Sequence, residues 1–171
     1  MSEHGWWRRL LGPGRFTVLV MILLLIAAAG YLGLRAVALS RQATTLATER
    51  SEALSDASRY AVDLTSYDYR DLASAFKAVA DDSTPGFAKQ YTATSQGKAS
   101  QLRADHSVST GQVVAVGIQD ETPGTTADVL VLVNQSLTNT STSKPRVQRS
   151  ELRITLVRSG DRWLIGDLEL L

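Results

Sequence analysis

The first pattern along the chain is an uncharged and almost wholly apolar segment at residues 16–34. At about 1.5 Å per helical residue it would span roughly 28 Å, close to the hydrocarbon thickness of a bilayer. A helix in a soluble core would show polar positions at a period near 3.6, and this segment has no such period. The pattern therefore predicts a transmembrane helix. A cleaved signal peptide is the alternative, because the alanines at 27–29 resemble a cleavage site, but apolar residues continue to Leu34.

Residues 35–64 are strong helix formers without glycine or proline. Apolar residues recur along one face at helical spacing and leave the charged residues mostly for water. That face comprises Leu39, Ala43, Leu46, Ala53, Leu54, Ala57, Tyr60, Ala61 and Leu64. The pattern predicts a helix that continues from the membrane and becomes the first helix of a domain. Packing against the chain's own sheet is favoured over a dimer seam, because the stripe is alanine-rich and short for a coiled coil.

Two more helices are predicted before the chain changes character. Residues 65–66 interrupt the long helix. Asp68 is a candidate N-cap of the next helix, and Asp71 favours its positive N-terminal end. The helix ends at residues 81–86, which read DDSTPG. A third helix is predicted over residues 85–103.

From about residue 108 the apolar positions alternate with period two, which is typical of strands. Residues 129–133 read VLVLV and predict a central strand, because they are apolar on both faces. Residues 134–144 predict a polar strand end plus a long hairpin loop, and alternating segments follow at 149–156 and 162–170. Three helices and a meander of four strands indicate an α+β fold, with the helices packed on a curved antiparallel sheet. Strong curvature would make the domain a cone with an internal cavity.

Composition excludes several classes of function. The chain of 171 residues has no cysteine, which excludes disulfides, thiolate metal sites and a cysteine nucleophile. Only two histidines are present, His4 and His106, so we expect no histidine-rich metal site and no cofactor. The formal net charge is +1, and we predict no nucleic-acid partner, because such binding normally needs a basic excess.

The flanks of the apolar segment predict its orientation. Residues 1–15 carry three arginines and one glutamate, whereas residues 35–171 carry fifteen basic and sixteen acidic side chains. By the positive-inside rule, the N-terminal tail is expected in the cytoplasm and the C-terminal domain outside the cell membrane. The predicted interfacial anchors are Trp6, Trp7, Arg8 and Arg9. Indole and guanidinium groups suit that position, because they can stay partly hydrated beside lipid headgroups.

The sequence therefore predicts four consecutive parts. They are a cytoplasmic tail at residues 1–15, a transmembrane helix at 16–34, a helix that continues into the domain at 35–64, and an exported α+β domain at 65–171.

Residues that could carry chemistry are present, but no spacing singles out a pair. An enzyme with a cone-shaped domain would need a buried carboxylate as general base. It would also need a hydrogen-bond donor that faces the developing oxyanion. The candidates are Asp63, Asp128 and Asp167 as bases and Tyr60, Tyr67, Tyr69 and Tyr91 as donors. Solvated carboxylates are common at such positions, so we predict no catalytic residue and no enzyme. The candidates for contact with a partner or a cavity are Tyr67, Tyr69 and Trp163.

Four features in order resemble the Mce-associated membrane proteins of actinobacteria. The first is a short tail that contains arginine and tryptophan and is followed by one membrane span. The others are TSYDYRDL at residues 65–72, TPGFAKQY at 84–91, and a terminal hairpin that ends DRWLIGDLELL at 161–171. That group is similar in layout to the SnoaL-like and ketosteroid-isomerase-like cone folds. It also resembles the bitopic inner-membrane assembly factors of type IV secretion systems.

The resemblance implies an accessory or scaffold protein of Mce lipid importers in the cell envelope. Its expected partners are Mce transporter proteins and, through the transmembrane helix, membrane lipids. Two alternatives stay open: a component of a type IV secretion-like machine that forms a homo-oligomer through the 36–64 helix, and a lipid-binding or enzymatic cone. On the leading hypothesis, an exposed strand or the aromatics at the helix start form the contact.

Overall fold

The computed structural model describes residues 13–171, apart from the side chains of residues 13–20 and Ser143. The chain divides into two compact units, Met1–Thr45 and Leu46–Leu171, which we call the N-terminal and the C-terminal unit. Helix α1 spans Pro13–Thr65, and every side chain from residue 21 to 45 is exposed. Within the described residues, α1 is the one helix that is long and apolar enough to cross a membrane. The predicted long apolar helix is therefore confirmed.

The C-terminal unit combines helices with one antiparallel sheet. After α1 come strand β1 (Tyr67–Asp68), a 3-10 turn (Tyr69–Asp71), α2 (Leu72–Asp81) and α3 (Pro85–Ala104). The long strands are β2 (Val108–Thr122), β3 (Thr126–Asn139), β4 (Thr142–Ser159) and β5 (Arg162–Leu170). The sheet order is β1-β2-β3-β4-β5, so each strand pairs with its neighbours in sequence. This arrangement confirms the predicted α+β class.

The sheet has five strands, and the prediction of four is wrong. Tyr67 and Asp68, which we expect from the sequence at a helix start, instead pair as β1 with the first two residues of β2. The N–H of Tyr69 then donates to the carbonyl of Ser107 at 3.0 Å. A strand of two residues has no alternation that could reveal it in the sequence.

The cap of α2 also differs from the predicted one. Asp68 caps the 3-10 turn, where its carboxylate accepts a hydrogen bond from the N–H of Arg70 at 2.9 Å. Asp71 caps α2 itself and accepts from the N–H of Ser74 at 3.3 Å. Each acid satisfies an N–H group that a helix start leaves unpaired.

Most of residues 134–144 belong to paired strands, so the long hairpin loop that we predict there is wrong. β3 and β4 stay paired to Asn139, which lies opposite Thr142, and two residues make the turn. The side-chain oxygen of Asn139 accepts from the N–H of Ser141 and the hydroxyl of Thr142, both at 3.0 Å. Asparagine stabilises turns through such bonds, and threonine is favoured in strands.

The second half of α1 packs on one face of the sheet. Its inward residues Ala53, Ala57, Tyr60 and Ala61 are at most 1% exposed. The sheet side of this core comprises Ala127, Val129, Val131, Val133, Leu152, Ile154, Leu156, Trp163 and Ile165, and Val79 and Phe87 join it from α2 and α3. The alanine-rich stripe thus covers the chain's own sheet, on the face where a cone would enclose a cavity.

Contacts at both ends of β2 fix the direction of α1. Near the end of β2, Arg50 donates to the carboxylate of Glu121 at 2.7 Å. Near its start, the hydroxyl of Ser109 donates to the carbonyl of Thr65 at 2.6 Å. α1 therefore runs antiparallel to β2. The approach is close at Gly111, where a Cβ would lie 1.9 Å from the hydroxyl oxygen of Thr65.

Replacing Gly111 by alanine should lower the free energy of unfolding by about 1–3 kcal/mol, because the added methyl group would displace the end of α1. Gly117→Ala is the matched control: it lies in the same strand, and a Cβ there meets nothing within 4 Å. We expect it to be neutral or stabilising by up to about 1 kcal/mol. Urea denaturation of the intact chain in micelles, followed by Trp163 fluorescence with Trp6 and Trp7 replaced by phenylalanine, measures both. Equal stability of the two variants would contradict the close approach.

Candidate interaction surface

The predicted site residues lie in separate places. Trp6, Trp7, Arg8 and Arg9 fall outside the described residues, so their role as interfacial anchors stays a prediction. Tyr67 and Tyr69 lie at the connection between α1 and α2. Trp163 lies on β5, the strand at the opposite edge of the sheet from β1.

The aromatics at the helix start hold the end of α3 to the sheet. Tyr67 is half-buried on β1, and this burial raises the pKa of its phenol. The Tyr69 ring stacks on His106, with 4.7 Å between ring centroids. His106 has a φ of 48°, in the left-handed region, directly after the cap of α3. Both tyrosines remain partly exposed, so the structure keeps a surface here that a partner could contact.

An ion pair shapes this surface beside Tyr69. Arg70 donates through Nε to both carboxylate oxygens of Asp68, at 2.9 and 3.0 Å. The hydrogen bonds from the side chain and the backbone N–H of Arg70 lower the pKa of Asp68 to about 2. The guanidinium also lies 5.8 Å from the centroid of the Tyr69 ring. The guanidinium of Arg70 is thus held by the carboxylate of Asp68 and lies near the ring of Tyr69.

Trp163 is part of the core. Its side chain is 3% exposed, and the guanidinium of Arg158 lies 5.3 Å from its ring centroid. The indole Nε1 has no hydrogen-bond partner within the described part of the chain. A space of about 10 Å³ beside the ring is lined by Ala53 of α1 and by the β2–β3 turn. That volume suits about one water molecule, which is too small for an organic ligand.

The candidate acid–base groups are mostly engaged in structural contacts. The hydroxyl of Tyr60 donates to the carbonyl of Trp163. Asp128 accepts a hydrogen bond from Thr155 on the neighbouring strand at 2.6 Å, and Asp167 is exposed on β5. The two hydrogen bonds tie the side chains of Tyr60 and Asp128 to the sheet.

Among these candidates, the structure brings Asp63 and Tyr91 into electrostatic contact. Burial raises the pKa of Asp63, although the charge of Arg59 opposes the shift. Burial also raises the pKa of Tyr91, whose hydroxyl forms a hydrogen bond with Ser95. The Tyr91 ring packs on Phe87 with 6.0 Å between centroids. Asp63 lies on α1 and Tyr91 on α3, and sequence spacing gave no signal for this pair.

Sequence reasoning missed a charged cluster around Asp82. The Asp82 carboxylate pairs with Arg59 of α1 and with Arg162 of β5, and its side chain is only 15% exposed. Partial burial acts to lower the pKa of Arg59, but the hydrogen bond and charge of Asp82 outweigh it and raise that pKa. The same guanidinium lies 4.4 Å from the centroid of the Tyr60 ring. The cluster joins three elements that are far apart in sequence.

A groove of about 490 Å³ lies between α2 and α3. Its apolar walls come from Leu72, Phe76 and Ala99, and Lys77 and Arg103 add cationic side chains. A volume of this size lies within the range of small-molecule sites. None of the residues that line the groove belongs to the core cluster that α1 covers.

A family model described as "Uncharacterized protein Rv1363c/MT1408-like" matches residues 15–171. A comparison with curated proteins finds no match. The family match extends from the apolar segment to the last strand, so it includes both units.

Three solved structures show the same kind of fold. CagV, a VirB8 homolog of the type IV secretion system of Helicobacter pylori, has a TM-score of 0.58 and 10% identity over 70% of this chain and 96% of CagV. An IcmL-like type IV secretion system protein of Legionella pneumophila has a TM-score of 0.55 and 12% identity, covering 71% and 91%. A Catenulispora acidiphila protein in complex with S-DNPA has a TM-score of 0.51 and 16% identity, covering 72% and 92%. At such identities the likeness shows the fold alone.

Replacing Asp82 by asparagine should lower the free energy of unfolding by about 1–2 kcal/mol, because Arg162 loses its charged partner and Arg59 keeps only its longer contacts with Asp56 and Asp63. The expected loss is modest, since Arg59 and Arg162 are half exposed and water screens part of the attraction. Asp81→Asn is the matched control, since the pair that Asp81 forms with Lys77 is exposed on both sides. Thermal unfolding of the intact chain compares the two variants. An equal effect of both would refute a structural role for the partly buried carboxylate of Asp82.

The carboxyl group of Asp68 should titrate near pH 2, whereas Arg70→Gln should return its pKa towards the ordinary value of 3.8. The fold lowers this pKa, so the native state favours the ionised form. Its stabilising effect is present above pH 3.8 and is lost as the pH falls towards 2. Carboxyl ¹³C chemical shifts followed by NMR measure both values. A midpoint near 3.8 in the unmodified protein would show that the ion pair does not persist in solution.

Proposed function

We propose that this chain, which belongs to the Rv1363c/MT1408-like family, is a non-enzymatic scaffold protein anchored in the cell membrane by one helix. One observation carries the proposal. Helix α1 supplies the exposed apolar segment of the N-terminal unit, and its second half supplies the central helix in the core of the C-terminal unit. Anchor and folded unit therefore share a single secondary-structure element.

Anchoring would act by raising local concentration. A unit held at a membrane surface meets membrane-bound partners at an effective concentration far above its bulk concentration. The arginine-rich tail supports a cytoplasmic N-terminus, which would place the C-terminal unit on the opposite side of the cell membrane. In this mechanism the protein needs a contact surface and no reaction chemistry.

Two structural neighbours support a role in assembly. CagV and the IcmL-like protein are both described as belonging to type IV secretion systems. Their fold is shared by this chain, although the low identity does not carry their partners over. A part in a secretion-like machine is accordingly the alternative form of the scaffold proposal.

An accessory role in an Mce-type lipid importer is the form that we favour. It rests on the resemblance of residues 65–72, 84–91 and 161–171 to the Mce-associated group. In the structure these segments form the end of α1 with β1, the start of α3, and β5. The N–H of Thr84 donates to the carbonyl of Ile165, so the second and third of these segments lie side by side.

The non-enzymatic character is also part of the proposal. It is supported by the position of α1, whose buried side chains fill the sheet face on which an enzymatic cone would hold substrate. Tyr60, the largest of them, uses its hydroxyl to bind the backbone of β5.

The intact chain, extracted from membranes in a gentle detergent, should co-purify with subunits of a lipid importer. The matched control carries Leu24→Arg and Ile26→Arg, which place two charges in the exposed apolar part of α1 and should prevent stable insertion. Quantitative mass spectrometry of both eluates measures the difference, and we expect at least about a tenfold loss of partners in the control. Secretion-system subunits in their place would favour the alternative. Recovery of the bait alone would overturn the scaffold proposal.

The groove between α2 and α3 favours a second candidate function, the binding of a lipid or a similar amphiphile. Apolar walls beside Lys77 and Arg103 suit an acyl chain with an anionic head group. Lipid analysis of the same eluates discriminates this function. A lipid retained in stoichiometric amount by the wild type and released by Ala73→Trp, which fills the groove, would support it. Equal lipid content in both would remove it.

A further inference from the structure

The apolar part of α1 carries a single charged residue between residues 16 and 40, and that residue has an aromatic neighbour. Arg35 follows nineteen uncharged residues, and a short apolar stretch, residues 36–39, comes after it. The Nε of Arg35 donates to the hydroxyl of Tyr31, one turn earlier on the helix, at 2.9 Å. The guanidinium carbon also lies 5.3 Å from the centroid of the Tyr31 ring. The two side chains therefore form one polar pair on a mostly apolar helix surface.

The contact with Tyr31 leaves most of the guanidinium available. Only Nε is engaged, and the two Nη groups of Arg35 have no hydrogen-bond or ion-pair partner among the residues that the structure describes. The next acidic residue along the chain is Glu49, several turns further on. Arginine binds phosphate through parallel hydrogen bonds from its planar N–H groups, so the free side of Arg35 has the geometry of a phosphate ligand.

The length of helix before the pair matches one bilayer. Residues 16–34 span about 28 Å, close to the thickness of the hydrocarbon core. If residue 16 lies at one boundary of that core, Tyr31 and Arg35 lie at the other. Tyrosine is enriched at this level, because its ring contacts lipid while its hydroxyl stays hydrated, and arginine likewise keeps its charged end in water.

A boundary near Arg41 is the competing position, because residues 36–39 are apolar as well. A helix from residue 16 to 40 would span about 37 Å, which exceeds the hydrocarbon core by more than one turn. It would also hold the charge of Arg35 below the head groups, which is costly. The bond to Tyr31 directs the guanidinium towards the start of α1, so the side chain would not reach head groups that lie at Arg41.

We propose that Arg35 and Tyr31 form a binding site for a lipid phosphate, which sets the depth of α1 in the bilayer. The inference rests on the proposed membrane anchor and assigns the boundary at the C-terminal end of its apolar segment. The Nη groups of Arg35 bind the phosphate oxygens, while Nε keeps its bond to Tyr31. Both leaflets contain phosphate, so the assignment holds for either orientation of the helix.

Spin labels on the intact chain in phosphatidylcholine vesicles test the boundary. The chain has no cysteine, so a single introduced cysteine carries the only label. A nitroxide at Leu25→Cys should collide mainly with oxygen, which concentrates in hydrocarbon, whereas one at Val37→Cys should collide mainly with a water-soluble nickel complex. We expect the ratio of the two collision rates to differ at least about tenfold between the sites. A label at Val37→Cys that is as lipid-exposed as the one at Leu25→Cys would place the boundary near Arg41 and overturn the inference.

Two variants locate the effect. Arg35→Gln should let the helix sink, because residues 16–39 then form one uncharged segment, and the label at Val37→Cys should move deeper by at least about 3 Å, the rise of two helical residues. Arg41→Gln is the matched control, since it removes a charge from an exposed position of the same helix and should leave the depth unchanged. A label at Leu25→Cys that stays in lipid shows that each variant is inserted. A shift in both variants, or in neither, would contradict the assignment to Arg35.

Solid-state NMR of the same vesicles tests the ligand itself. With the arginines labelled at the guanidinium carbon, dephasing by lipid phosphorus reports the side chains that contact phosphate. Arg35→Gln should remove the share of one side chain, and Tyr31→Phe should reduce that share, because the guanidinium loses the bond that orients it. Arg41→Gln should leave the dephasing unchanged. Full dephasing in Arg35→Gln would overturn phosphate as the ligand, and full dephasing in Tyr31→Phe would remove the tyrosine from the site.

The labels also separate this inference from the proposed anchor. If the label at Leu25→Cys lies in water in the otherwise unmodified chain, the helix is not inserted and the anchor itself fails. If the labels at Leu25→Cys and Val37→Cys both lie in lipid, the anchor stands and the boundary at Arg35 is wrong.

Discussion

The structure depends on the close approach of α1 to the sheet. Alanines at 53, 57 and 61 bring the helix backbone near the strands, because they have almost no side chain to hold it away. Gly111 permits the same closeness where α1 ends. Alanine buries little apolar area, so most of the stabilisation comes from the branched residues of the sheet and from Tyr60, which gain burial when the helix covers them. Removing α1 would expose the part of the inner sheet face that α2 and α3 do not cover.

An alanine face is smooth, and apolar burial has no direction, so the helix needs other contacts to fix its position along the sheet. Charged pairs along α1 supply them. They are Arg50 with Glu121 of β2, Glu52 with Arg158 of β4, and Arg59 with Asp82 before α3. Each pair is partly exposed and contributes modestly to stability. Because the three partners lie on different elements, together they define one register for the helix.

Periodicity in the sequence was enough to predict the buried faces of the long helix and of the regular strands. The spacing of Ala53, Ala57 and Tyr60 indicates the buried face of α1, and the alternation of Leu152, Ile154 and Leu156 indicates an inward strand face. It could not predict β1, which is too short to alternate, or the turn after Asn139, where local side-chain bonds decide. The Asp82 cluster was beyond reach for another reason. It depends on which distant segments become neighbours, and no local pattern encodes that.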